Sequence, residues 1–152
     1  MTAIVAIVGD IHANSTVAVC PPRVQLDDGG EYVASQPQRW IWRQWLVYWK
    51  EIEERRAALN ARLFVVLNGE LADDNYHPTT QLVTRNPADI LKLSLAVLEP
   101  VTRLLGEGDR LSCSGARRHI AGQAGRWMRR WRESWGRRRR RPTARQAGGS
   151  CG

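Results

Sequence analysis

Acidic and imidazole side chains follow two short apolar runs in this sequence. The run Ala3–Val8 leads into Gly-Asp-Ile-His-Ala-Asn at residues 9–14, and a second run ends in Asn-Gly-Glu at residues 68–70. Asp10 and His12 are two residues apart, and alternate side chains of an extended chain point to the same face. The carboxylate and the imidazole can therefore converge on one cation. This pair of ligand types favours Mn, Fe or Zn over Ca.

Glu70 extends this predicted site from the second apolar run. A carboxylate there can reach the same ion and bridge to a second one, and two metals about 3.5–4 Å apart would clamp a phosphate and generate a hydroxide nucleophile. We therefore predict three metal ligands, Asp10, His12 and Glu70. We interpret Asp73 and Asp74 as solvated. The alternative for residues 10–12 is a plain turn whose side chains form local hydrogen bonds.

The elements that carry these residues predict an α/β fold. Residues 3–8 and 62–70 are short and rich in β-branched side chains, which is typical of strands buried in a parallel sheet. Residues 38–61 place apolar side chains at helical spacing, and Asn86-Pro87 provides an N-cap and a first-turn proline for a second helix. We expect a kink at Pro100. In such a sheet the active loops lie at the carboxyl ends of the strands.

Two connecting features complete the predicted α/β unit. Residues 21–37 contain three prolines and two glycines, so we predict a long loop there. The first helix carries four tryptophans close together, Trp40, Trp42, Trp45 and Trp49. We interpret this face as core or interface rather than as a platform for stacking nucleic-acid bases.

Charge is divided unevenly along the 152 residues. Residues 1–110 have a net charge of −3, whereas residues 111–152 contain 12 arginines, no lysine and one acid. Any interaction with nucleic acid would therefore depend on the C-terminal tail. The three cysteines form no CxxC pair, so neither a disulfide framework nor a structural zinc site is indicated. Together with the absence of a signal-peptide pattern and of a long apolar run, this predicts a cytoplasmic protein without membrane contact.

The two motifs resemble those of a known enzyme family. GDIHAN after one strand and NGE after the next are similar to the first two motifs of the calcineurin-like metallophosphoesterases, whose pattern is GDxHG followed by GD. Ala13 stands in the usual glycine position, and Glu70 stands where the family has a bridging aspartate. The loop at residues 21–32 and the tryptophan-rich helix look like an insertion of phage-type members. The resemblance covers about residues 3–107.

This resemblance implies the N-terminal half of a metallophosphoesterase sandwich, with parallel strands and helices, and a hydrolase that acts on phosphate esters. Asp10 and His12 would hold the first metal, Glu70 would bridge, and a metal-bound hydroxide would attack phosphorus in line. The cofactor would be Mn²⁺, with Fe, Zn or Ni as alternatives, and the second metal site would be incomplete. Asn14 and His77 are candidates for the substrate side of the site.

The part after residue 108 departs from the family pattern. The family continues with a third strand, a GNH motif and further histidines, but His119 is the last histidine of this chain and no Asn precedes it. We therefore divide the chain into a partial metallophosphoesterase domain, residues 1–108, and an irregular, basic tail rich in Arg and Trp, residues 109–152. We expect the tail to be disordered or non-native and the sheet to lack its third strand.

The codons of the tail suggest a cause for this departure. Trp is encoded only by TGG and Met only by ATG, so a frame that begins one base earlier forces Asp at Trp127-Met128 and Gly at Trp135-Gly136. With suitable codons that frame also yields an acidic amphipathic helix and a Thr-Glu-Ala-His stretch similar to the third phage-type motif. We hypothesise that the chain leaves its ancestral reading frame near residues 107–112. The DNA sequence around codons 105–120 tests this hypothesis.

A second function remains open from the sequence. The alternative to a phosphoesterase is a basic nucleic-acid-binding protein whose arginine-rich tail contacts phosphates. Its affinity would fall steeply with salt, with a log–log slope of about −0.9 per phosphate contacted.

Overall fold

A computed structural model of the chain describes residues 2–73 and 80–114. These residues lie within the first of two units, Met1–Ala116. The first unit contains the following elements: β1 (Ala3–Gly9), β2 (Arg23–Gln25), β3 (Glu31–Val33), α1 (Gln36–Leu59), β4 (Arg62–Asn68), α2 (Pro87–Leu104) and β5 (Arg110–Ser114).

A parallel three-stranded sheet with the order β1-β4-β5 forms the centre of the unit. β1 pairs with β4 along its whole length, from Ala3 opposite Arg62 to Gly9 opposite Asn68. β4 pairs with β5 from Phe64 opposite Arg110 onwards. α1 connects β1 to β4 and α2 connects β4 to β5. The predicted α/β class with parallel strands is therefore confirmed for the described residues.

The sheet is buried on one face. In β4 the side chains of Leu63, Val65 and Leu67 are at most 4% exposed, and the residues between them are half-buried. Both β–α–β connections advance in the same direction along the sheet, and such crossovers are right-handed, which places both helices over the same face. On the opposite face of β1, Val5 is 59% exposed and Ile7 is 66% exposed.

α1 begins at Gln36, two residues earlier than the sequence indicates. Ser35 is its N-cap and Gln38 completes a capping box, and Pro37 lies in the first turn, where a missing N–H costs nothing. The sequence predicts Pro37 in the preceding loop, so this boundary is wrong by two residues. Asn60 ends the helix in the left-handed conformation.

The tryptophan face of α1 joins the two helices. Trp45 Nε1 donates a hydrogen bond to the Val97 carbonyl of α2, at 2.9 Å. Trp45 and Tyr48 also pack edge-on against Trp49, with ring centroids 5.3 Å and 5.1 Å away. Trp49 is 2% exposed, whereas Trp40 is 57% exposed. The interpretation of this face as core is therefore confirmed for Trp45 and Trp49.

α2 begins as the sequence predicts. The Asn86 side chain accepts a hydrogen bond from Ala88 N, Pro87 is the first helical residue, and Pro100 lies within the helix. One face of the helix is buried and supplies Ile90, Leu93, Val97, Leu98 and Val101 to the core. Neither described helix is long and apolar enough to cross a membrane.

The stretch predicted as a long loop contains a short antiparallel hairpin. β2 and β3 pair from Arg23 opposite Val33 to Gln25 opposite Glu31. Gly29, with a φ of 85°, provides the reversal between them. The prediction of a long loop over residues 21–37 is wrong at these residues, because three-residue strands are too short to show an apolar period between prolines and glycines.

The third strand, β5, is formed by residues that we had assigned to the tail. Arg110–Ser114 extends the parallel sheet, so the expectation that the sheet lacks a third strand is wrong. Only one of its five residues, Leu111, has a large aliphatic side chain, and this composition concealed the strand. Residues 115–152 of the predicted tail lie outside the described part of the chain, and the hypothesis of a frame change near residues 107–112 stays a prediction. The metallophosphoesterase sandwich itself stays a prediction.

Candidate metal centre

The parallel pairing of β1 with β4 continues beyond the ends of both strands. Asp10 N donates to Asn68 O, and His12 N donates to Glu70 O at 3.1 Å. Ala13 then bridges to residue 72, and Asp73 N donates to Ala13 O at 2.8 Å. The segments that carry the polar residues therefore run side by side at the carboxyl edge of the sheet.

The backbone of residues 10–14 alternates in conformation. Asp10 and His12 each have a φ of 48°, and Asn14 has a φ of 83°. Left-handed backbone is uncommon for residues other than glycine, and Asn, Asp and His are the types that adopt it most readily. The sequence thus supplies tolerant residue types at the three positions where the chain twists.

Three side chains converge at this edge. His12 Nδ1 lies 2.7 Å from Asp73 Oδ1 and 3.6 Å from Glu70 Oε2. Candidate ligand atoms of the three residues all lie within 4.8 Å of one another. The side chains of His12 and Glu70 are each 37% exposed and that of Asp73 is 26% exposed. An ion could therefore reach the group from solvent.

These separations suit a first-row transition metal. Ligand atoms about 2.1 Å from a metal lie roughly 3.0–3.4 Å apart in octahedral or tetrahedral geometry. The two distances from His12 Nδ1, 2.7 Å and 3.6 Å, lie on either side of that interval, and all three candidate ligand atoms lie within 4.8 Å of one another. One imidazole and two carboxylates are also a donor set that Mn, Fe and Zn accept.

The carboxylates change the protonation of His12. Its hydrogen bond to Asp73 raises the pKa of His12, partial burial lowers it, and the negative charges of Asp73, Glu70 and Asp10 add to the rise. The pKa of His12 consequently lies above its ordinary value. A proton and a cation compete for Nδ1, because only the neutral imidazole offers a lone pair to a metal.

Asp10 lies beside the converging group rather than in it. Its Oδ1 accepts a hydrogen bond from Glu70 N at 3.2 Å, so the carboxylate rests against the backbone of the neighbouring loop. Gly69 makes this approach possible, because a Cβ atom at that position would be 2.1 Å from Asp10 Oδ1. The described structure therefore brings together two of the three predicted ligands, His12 and Glu70, and adds Asp73.

Asp73 is not among the predicted ligands because an acid three residues after Glu70 is not by itself a metal-binding motif. We had interpreted it as solvated, but it is hydrogen-bonded to His12 and only partly exposed. Its position follows from the continued pairing of residues 12–13 with residues 70–73, which begins only after the regular strands end. A Glu-x-x-Asp spacing after a strand is the one signal that could have indicated it.

Of the two predicted substrate-side residues, Asn14 and His77, the structure describes only Asn14. Asn14 is 2% exposed, and its side-chain amide is hydrogen-bonded to the backbone of residues 73 and 84. It therefore presents no free group to a substrate. His77, together with Asp74 and His119, lies outside the described residues.

Comparison of the chain with known protein families, with curated proteins and with solved structures finds no match in any of the three.

Proposed function

We propose that the chain binds a divalent transition-metal ion through His12, Glu70 and Asp73, and that the site serves the hydrolysis of phosphate esters. The observation that carries the first part is the convergence of three candidate ligand atoms within 4.8 Å at the carboxyl edge of a parallel sheet. Ligand sites of open α/β sheets lie at this edge. Mn²⁺ is the preferred ion, with Fe, Zn or Ni as alternatives.

The phosphoesterase part of the proposal is supported by the sequence motifs. GDIHAN and NGE follow β1 and β4, which are adjacent parallel strands. A bound divalent cation would supply a Lewis acid that polarises a phosphoryl oxygen and lowers the pKa of water. Glu70 and Asp73 contribute negative charge that holds the cation, and neutral His12 contributes a nitrogen ligand. The three half-buried side chains leave the position open to an incoming ester.

Metal titration tests the proposed ligands. Chelator-treated full-length protein is titrated with Mn²⁺ by calorimetry, and single-site binding is expected. His12→Ala and Asp73→Asn should each weaken binding at least about tenfold, which is the loss typical when metal-site residues are changed. Glu51→Gln is the matched control, because Glu51 is an exposed acid on α1 with only a 3.9 Å approach to Arg55. Unchanged binding in both ligand variants would refute the site.

The same titration separates two possible ligand sets. If the ligands are those that converge in the structure, Asp10→Asn should have a smaller effect than Asp73→Asn. The reverse order would favour the set predicted from the motif, Asp10, His12 and Glu70. Hydrolysis of bis(p-nitrophenyl) phosphate and p-nitrophenyl phosphate with added Mn²⁺ then tests the reaction. Metal binding without hydrolysis of either ester would limit the function to metal binding.

A further inference from the structure

The amide of Asn14 uses its hydrogen-bonding groups entirely within the described part of the chain. Its Nδ2 donates to Asp73 O at 2.9 Å and to Thr84 O at 3.0 Å, and its Oδ1 accepts from Thr84 N at 3.0 Å. Both donors and the acceptor are therefore occupied. Because Asn14 is 2% exposed, water competes little for these bonds.

These bonds connect the segments that carry the proposed ligands. Asn14 follows His12 by two residues, and one of its acceptors is the carbonyl of Asp73 itself. The backbone adds a further bond, from Val83 N to Asn14 O at 2.8 Å, and Ser15 bridges to Leu82. The distance between the His12 and Asp73 side chains therefore depends on the hydrogen bonds that the Asn14 amide makes to the neighbouring backbone.

We infer that Asn14 is a positioning residue for the metal site: its buried amide fixes the segment bearing His12 against the segment bearing Asp73. This inference rests on the proposed function, because it assumes that these two residues bind the metal. Asn suits the position for two reasons. It tolerates the left-handed backbone, with a φ of 83°, and its planar amide matches two carbonyls and one N–H.

Asn14→Gly tests the effect of the side-chain amide separately from the effect of the backbone conformation. Glycine adopts a positive φ without cost, so this variant keeps the turn and loses only the amide. Asn60→Gly is the matched control, because Asn60 is also a left-handed Asn, with a φ of 45°, but lies at the exposed end of α1. Both variants are titrated with Mn²⁺ as full-length chains, well below their melting temperatures. Asn14→Gly should weaken Mn²⁺ binding about tenfold, and Asn60→Gly should leave it unchanged.

A second variant covers the case in which Asn14→Gly does not fold. Asn14→Asp keeps the shape but replaces the NH₂ group, with its two donors, by an acceptor oxygen that faces two carbonyls. Added negative charge alone would strengthen Mn²⁺ binding, so weaker binding in Asn14→Asp supports the positioning role. Stronger binding, or loss of the folded state in both variants, overturns it.

The outcomes distinguish this inference from the function on which it rests. Absence of Mn²⁺ binding by the wild-type chain overturns the proposed function and this inference with it. Normal wild-type binding together with unchanged affinity in Asn14→Gly overturns this inference alone. In that case a lower melting temperature would assign Asn14 to stability only.

Discussion

At the scale of single residues, the site depends on backbone that is locally unfavourable. Asp10, His12 and Asn14 all have positive φ, and each left-handed residue other than glycine costs roughly 1–2 kcal/mol. The pairing with residues 68–73 offsets this cost, because Asp10 N, His12 N and Ala13 N each donate to that segment. The local conformation is thus held by long-range hydrogen bonds, and it brings the His12 side chain into the group with Glu70 and Asp73.

Gly69 should be required for this arrangement. It has a φ of 79°, and a Cβ atom there would be 2.1 Å from Asp10 Oδ1, so Gly69→Ala must displace the Asp10 carboxylate. Gly29→Ala is a matched control, since Gly29 has a φ of 85° and no atom within 4 Å of an added Cβ. In urea unfolding, Gly29→Ala should cost about 1 kcal/mol from backbone strain alone, and Gly69→Ala should cost more. Equal losses in the two variants would show that the close approach does not constrain Asp10.

At the scale of elements, a buried carboxylate at the opposite end of the sheet joins three of them. The Asp109 side chain is fully buried, and it accepts hydrogen bonds from Leu63 N of β4 at 2.8 Å and from Gly106 N at 2.6 Å. Arg56 of α1 pairs with it at 2.8 Å and also donates to the Leu104 carbonyl of α2. Burial raises the pKa of Asp109, but these hydrogen bonds and the charge of Arg56 outweigh it and hold the pKa below its ordinary value.

This lowered pKa predicts a pH dependence of stability. The stabilisation is present above the ordinary carboxyl pKa of 3.8 and is lost as the pH falls through the folded-state value. Asp109→Asn should therefore lower the free energy of unfolding by about 3 kcal/mol at pH 6, and the difference from wild type should shrink towards pH 3. Urea unfolding from pH 3 to pH 6 measures it. Glu53→Gln, at an exposed acid, is the control and should show no such trend; a pH-independent difference for Asp109→Asn would contradict the assignment.

The elements differ in how far the sequence could predict them. Asn86-Pro87 located the start of α2 because a side-chain acceptor followed by a proline acts through local chemistry. The hairpin of β2 and β3 and the strand β5 could not be predicted in this way, because their backbone pairing with neighbours, rather than their composition, makes them strands. The site follows the same rule: His12 and Glu70 lie at the predicted strand ends, whereas Asp73 is brought to His12 only by pairing beyond them.

At the scale of the whole molecule, the sheet of the described part is covered on one face and leaves apolar side chains exposed on the other. Right-handed crossovers place both helices over one face of the sheet, and the other face of β1 exposes Val5 and Ile7 by more than half. Parallel sheets are generally covered on both faces. The apolar composition of β1 predicts a strand that is buried on both faces, but the described residues bury only one of them. The hypothesis that the chain leaves its ancestral reading frame near residues 107–112 offers one reason for this excess, and it stays a prediction.

The one-sided burial of the sheet leads to a test of the architecture. Val5→Thr places a hydroxyl on the exposed face, where water can hydrogen-bond to it, and the free energy of unfolding should change by less than about 0.5 kcal/mol. Val65→Thr makes the same chemical change at a side chain that is 1% exposed, and burying the unpaired hydroxyl should cost about 1–3 kcal/mol. Thermal and urea unfolding of the two variants provide the comparison. A cost at Val5 equal to that at Val65 would mean that the outer face is covered, and both the register of β1 on β4 and the placement of the helices would then need revision.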